Sequence, residues 1–303
     1  MRNIRILAAT AIVLAIAAPA EAKTYALTPY AVPGSTFTQL WGLNDHGVLV
    51  GADDSGGFID DHGTITVVNQ PGTSGFVTGI SNTGVAVGGD GTRSYFYQGG
   101  VFTPFAIAGA DTTTIRGISA NGRFIAGVYT TADTFDGFVY DTQTSALSTI
   151  VPPNGINVTV VQGVTDSGVA VGSLTGPDSS FLFDAVNGTS TYYTDVGGLT
   201  KIRIRGIDDA GDVGGWSIGT DAFVGFLGSF ADGFTTFDLS PDGTFIYGLN
   251  NVGEAVGYYD DDDGLPHSFL VNTTTVPEPS STASMALALL VAGARLARRR
   301  KTG

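Results

Sequence analysis

Four consecutive carboxylates, Asp260, Asp261, Asp262 and Asp263, precede Gly264. Adjacent like charges repel, and a hard cation with oxygen ligands relieves that repulsion, so the run is a candidate Ca²⁺ site. It is not an EF-hand loop, because no Glu follows at the required distance; the competing reading is a solvated acidic loop. Trp41 and Trp216, with eleven tyrosines, are candidates for stacking on sugar rings, or else for packing inside the fold. Carboxylate pairs for glycoside hydrolysis are available by number, yet Glu254 is the single Glu between the chain ends. The sequence shows no Ser-His-Asp grouping and no S-x-D-x-G-x-x-W box of the sialidase type, and no catalytic residue is assigned. Thr112, Thr113 and Thr114 suggest ice binding, but a regular Thr-x-Thr array is not sustained.

The composition narrows the chemistry further. The chain has 303 residues, 14 basic, 28 acidic and no cysteine. Zero cysteine removes a disulfide scaffold, a thiolate zinc site and a cysteine nucleophile. Three histidines far apart in sequence (His46, His62 and His267) do not make a histidine metal site. Seven basic residues lie at the two ends, and 26 acids lie between them, so the body carries a formal charge of −19. Such a body is repelled by nucleic acid and by anionic lipid, which excludes both as partners.

Both ends read as targeting segments. Arg2 and Arg5 precede an apolar run, Ile6 to Ala18, and Ala20-Glu21-Ala22 is an A-x-A cleavage signature. This is a secretory signal peptide over residues 1–22, handled by the Sec translocon and cut after Ala22. At the other end, Val276, Pro277, Glu278 and Pro279 are followed by an apolar stretch, Ala283 to Ala294, and by Arg298, Arg299, Arg300 and Lys301. The prolines keep the first part extended, the apolar stretch enters the membrane, and the arginines stop transfer. Residues 276–303 thus resemble the PEP-CTERM sorting signal of exopolysaccharide-producing Gram-negative bacteria. The resemblance implies handling by an exosortase that cuts near Pro-Glu-Pro, a transient C-terminal membrane anchor, and a destination at the cell surface or in the extracellular matrix.

Between the ends, residues 23–275 repeat six times. The copies begin GLNDHGVLVG at Gly42, GISNTGVAVG at Gly79, GISANGRFIAG at Gly117, GVTDSGVAVG at Gly163, GIDDAGDVGG at Gly206 and GLNNVGEAVG at Gly248. The first glycines recur every ~41 residues. A second glycine always follows by five residues, and a third by nine, or by ten in the third copy. Each copy reads as a hairpin whose turn ends in glycine. A second signature follows, such as Gly57-Phe58, Tyr95-Phe96, Phe181-Leu182 or His267-Ser268-Phe269, and then a fourth alternating segment.

Four short strands per ~41 residues predict an all-β, six-bladed propeller; a β-solenoid is the alternative. The last repeat supplies three strands and then runs into the sorting signal. The segment Tyr25 to Tyr30 precedes the first repeat and fits the missing strand, so an N-terminal strand should close the ring. The repeat resembles the HAF family of bacterial extracellular repeats, which pairs a G-I-N-x-x-G-x-V-V-G run with an H-A-F triplet; that family implies a β-rich extracellular protein and carries no activity here.

The expected function is a non-catalytic surface or matrix protein that interacts with exopolysaccharide or another surface component. A secreted polysaccharide-active hydrolase or lyase is the alternative, and an ice-binding protein a minor one. No cofactor is expected apart from the candidate Ca²⁺.

Overall fold

The computed structural model describes residues 21–69, 75–152, 158–174, 179–219 and 222–277. Residues Ala26–Asn272 form one compact unit; the chain ends, Met1–Tyr25 and Thr273–Gly303, group as a second. The described residues of the second unit are 21–25 and 273–277.

Six four-stranded antiparallel sheets account for all but two of the described strands, as the repeats predict for a six-bladed β-propeller. We letter the strands of each blade A to D from the channel outward. The inner A strands are Thr38–Leu43, Phe76–Ile80, Thr112–Ile118, Val158–Val164, Ile202–Ile207 and Thr244–Leu249. The B, C and D strands follow as simple meanders; a two-stranded ribbon, Asp195–Val196 with Leu199–Thr200, sits between blades 4 and 5.

Blade 6 departs from the meander as expected. Its outer strand is Glu21–Tyr30, which pairs with strand C, Pro266–Pro277, so the first described strand completes the last blade. That arrangement hides an edge that would otherwise expose unpaired backbone groups. Tyr30 then reaches into blade 1: its ring stacks on Phe58 at 6.4 Å, and its hydroxyl donates to Asp60 Oδ2 at 2.7 Å.

Each element of the repeat has its own physical reason. The second glycine sits in the A–B turn with positive φ, 74° at Gly47 and 89° at Gly211, where a side chain would be strained. The third glycine lies on strand B beneath a carbonyl of strand A. A Cβ at Gly51 would overlap Gln39 O, and one at Gly172 would overlap Val160 O and the Phe181 ring. That ring belongs to the second signature. Phe58, Tyr95, Phe138, Phe181, Phe226 and Phe269 are all buried and fill the blades. The residue before each is small, because it faces the next blade. Ser94, Ser180 and Ser268 each accept a backbone N–H from the next A strand and donate to one of its carbonyls. In the triplet His267-Ser268-Phe269, then, serine and phenylalanine carry the packing.

Candidate functional site

The six A strands surround a central channel with two different zones. The first is the mouth at the A–B turns. The residue two places after the first repeat glycine caps its own turn in every blade. Asn44, Ser81, Ser119, Thr165, Asp208 and Asn250 each accept the backbone N–H of the residue that re-enters strand B, at 2.8–3.1 Å. The following residue reaches sideways to the next blade. Asp45 N donates to Asn82 Oδ1, Asp166 N to Asp209 Oδ1, Asp209 N to Asn251 Oδ1, and Asn251 N back to Asp45 Oδ1. Blade 3 has Ala120 there. Asn82 N turns to the Ala120 carbonyl, and Asn121 N donates to Asp166 Oδ1. The six links run head to tail around the mouth and close between blades 6 and 1.

Three carboxylates of that ring face one another electrostatically. Burial raises the Asp166 carboxyl above its ordinary value, and the charges of Asp209 and Asp45 add to the rise against a hydrogen bond from Asn121. Asp45 goes the other way: burial pushes it up, but hydrogen bonds from Asn82 and Asn251 outweigh that and hold it below its ordinary value.

The second zone is the waist, three residues earlier on each A strand and so about 10 Å along the channel at strand rise. Every A strand carries a β-bulge here, with the register slipping between Leu40 and Gly42, Val77 and Gly79, Ile115 and Gly117, Val161 and Val164, Ile204 and Gly206, and Ile246 and Gly248. A bulge re-aims a side chain. The residues at these bulges are Trp41, Thr78, Arg116, Gln162, Arg205 and Tyr247, and all six line the channel, which encloses about 70 Å³. The first repeat glycine follows each of them. At Gly248 a Cβ would stand 2.9 Å from Gly42 Cα and 3.0 Å from Trp41 O, so glycine is what lets neighbouring A strands approach around the channel.

Arg205 is 8% exposed. Its guanidinium lies over the Trp216 ring at 4.5 Å and donates from one terminal nitrogen to Ser173 Oγ at 3.2 Å. Its Nε is buried without a partner, as are Arg116 Nε and Trp41 Nε1. Burial pulls the Arg205 pKa down to about 10; Tyr247 opposes this, and the charges of Arg203 and Arg116 assist it. Burial likewise lowers Arg116, which lies 5.8 Å over Phe76. Trp41 meets the same Phe76 ring edge-on at 5.1 Å.

The sequence-selected residues lie elsewhere. In the acidic run, Asp261 Oδ1 accepts from the backbone of Asp263 and Leu265, and Oδ2 lies 2.7 Å from His267 Nε2. That carboxylate closes its own turn, and no group of three metal-ligating side chains converges among the described residues. Other loop acids act in the same way: Asp53, Asp90, Asp141 and Asp184 each cap a turn by accepting backbone N–H groups. Trp216 packs between blades 5 and 6 against Phe245 and Tyr247. Trp41 lines the channel. Thr113 and Thr114 are buried, and Glu254 accepts from Asn250 Nδ2. Ala22 lies in strand Glu21–Tyr30, and Val276 and Pro277 end strand Pro266–Pro277. Ala20, Glu278, Pro279, Arg298, Arg299 and Arg300 lie outside the described residues.

The waist was missed by reading each repeat from its first glycine. The signal was one residue upstream, where the side chain varies from copy to copy while the glycine after it does not. Two of the seven cations of the body, Arg116 and Arg205, fall on that one position.

Residues 275–301 match the family described as the PEP-CTERM protein-sorting motif. The motif marks an exported protein with a C-terminal membrane-anchoring signal handled by an exosortase. No curated protein matches the chain in sequence. Among solved structures, a putative TolB from Agrobacterium tumefaciens is similar at 14% identity and a TM-score of 0.52, over 70% of this chain and 83% of that one. A putative gluconolactonase is similar at 14% identity and a TM-score of 0.52, over 83% of this chain and 93% of that one. At these identities the likeness shows the propeller fold alone.

Proposed function

We propose that the chain is a non-catalytic surface or matrix protein that presents a propeller to exopolysaccharide or another surface component after exosortase processing. The observation that supports this most is the joining of a six-bladed propeller to a PEP-CTERM motif. The channel waist fits binding better than hydrolysis. Its six side chains, Trp41, Thr78, Arg116, Gln162, Arg205 and Tyr247, offer rings and mostly hydrogen-bond donor groups, and none of the six is a carboxylate that could serve as a general acid or base. The gluconolactonase-like fold carries no activity to this chain, since folds host many functions.

The test uses the mature protein and the polysaccharide of the producing cell. Saturable binding without product release supports the proposal; sustained release of reducing ends or unsaturated sugars would favour the hydrolase or lyase instead. Processing is tested separately. Replacing Arg298, Arg299, Arg300 and Lys301 with Ser should impair retention in the membrane and change maturation, because the basic end is what stops transfer. Unchanged maturation would remove the sorting part of the proposal and leave the binding part standing.

A further inference from the structure

We propose that the waist of the channel binds a compact carboxylate between the guanidinium groups of Arg205 and Arg116. The argument starts from charge. The body carries 26 acidic residues against seven basic ones, so a cation has carboxylates available on every side. Exposed arginines take them: Arg93 pairs with Asp90 and Arg123 with Asp141, both at 2.7 Å. Arg116 and Arg205 make no ion pair among the described residues, although Arg205 is more than nine-tenths buried. Burying a cation without a counter-charge is unfavourable. Two of them sit at the same repeat position, on bulges that turn them into one channel. Each leaves its Nε unpartnered there, and Trp41 adds a third unpartnered N–H. An anion in the channel supplies the missing counter-charge to both guanidinium groups.

A carboxylate suits the site better than phosphate or sulfate. A guanidinium presents a planar fork that matches a carboxylate through two parallel hydrogen bonds. The rings of Trp41 and Tyr247 beside it suit an organic anion more than an inorganic one. This inference does not depend on the polysaccharide proposal; a failure of either leaves the other intact.

The test is thermal melting of the mature protein in formate, acetate, glucuronate, chloride, phosphate and sulfate at matched ionic strength, with titration calorimetry for the anions that shift the melt. Ligand binding to the native state raises its apparent stability. A saturable rise with a carboxylate, beyond that in chloride, supports the site. Arg205→Met should fold, melt within a few degrees of the parent and lose the rise, and Arg116→Gln should bind at least ten-fold more weakly. An equal rise in Arg205→Met, or no rise with any carboxylate, overturns the proposal. A larger rise with chloride, phosphate or sulfate overturns the carboxylate assignment. Should Arg205→Met fail to fold, Arg205→Lys decides, because it keeps the charge and loses the fork: at least ten-fold weaker binding supports the site, and unchanged binding overturns it.

Discussion

The two zones of the channel are built from neighbouring positions of the same repeat, yet they differ in how their polar groups are spent. At the mouth, each capping residue closes its own turn, and the residues after them link the six blades into a ring. Three residues back along each strand, nitrogens of Trp41, Arg116 and Arg205 are buried with nothing to meet. The mouth is what six similar blades need in order to close. The waist is where they are free to differ, and the costly side chains are there. Uniform positions of a repeat protein report on assembly; the odd ones out, placed where the fold aims them inward, report on use.

Closure carries the largest expected effect. Deleting Lys23 to Tyr30 removes the outer strand of blade 6 together with the Tyr30 contacts to Phe58 and Asp60. The loss should be several kcal/mol, on the scale of losing a core element. Removing residues 278–303 leaves every described strand in place and should barely change the melt. If the two truncations melt alike, ring closure is not what holds the propeller together.

A smaller effect should separate the two zones directly. Asn251→Ala removes the acceptor of Asp209 N and the donor to Asp45 Oδ2, and should cost about 1–2 kcal/mol in denaturant unfolding. Arg205→Met at the waist removes a buried charge along with its Ser173 and Trp216 contacts, so gains and losses offset. It should stay within about 1 kcal/mol of the parent. Equal losses in the two variants would erase the contrast between mouth and waist.

The sequence made the fold readable because propeller physics repeats. Glycine is needed three times per blade for three separate reasons, and a pattern copied six times outweighs the noise in any single copy. Closure by Tyr25 to Tyr30 was legible for a similar reason: a missing strand at one end and a spare one at the other are complementary. The sites were less legible. Asp260 to Asp263 stood out as a charge run, but a turn can use a carboxylate as an acceptor for backbone N–H groups, and Asp261 is used that way. In the sequence Arg205 is one residue of an alternating run, Ile202-Arg203-Ile204-Arg205. Its burial depends on the bulge between Ile204 and Gly206 and on the indole of Trp216, from the next strand, and neither is visible in one dimension.

The smallest effect probes the mouth through its charge. Asp166 has its carboxyl raised above the unfolded value near 3.9, by burial first and then by Asp209 and Asp45. The native state therefore holds that proton more tightly than the unfolded chain does. Its contribution weakens as pH rises through that window, and at neutral pH the ionised group is a net cost. Asp166→Asn keeps an oxygen to accept Asn121 N and removes the charge. It should stabilise the protein at pH 7 by about 0.5 kcal/mol, a figure reduced because the group is half-exposed and screened. The gain should fade below pH ~4, where the parent carboxyl is protonated in both states. Asp45→Asn should do the reverse. That carboxyl lies below its ordinary value because Asn82 and Asn251 donate to it, so its stabilisation is present above the unfolded pKa and is lost as pH falls through the folded one. Its amide should therefore destabilise at pH 7, with a deficit that shrinks in acid. Chemical denaturation of both variants at pH 7 and at about pH 3 reads the two signs, and variants that shift together would mean that the ring responds to total charge and not to the hydrogen bonds each carboxylate accepts.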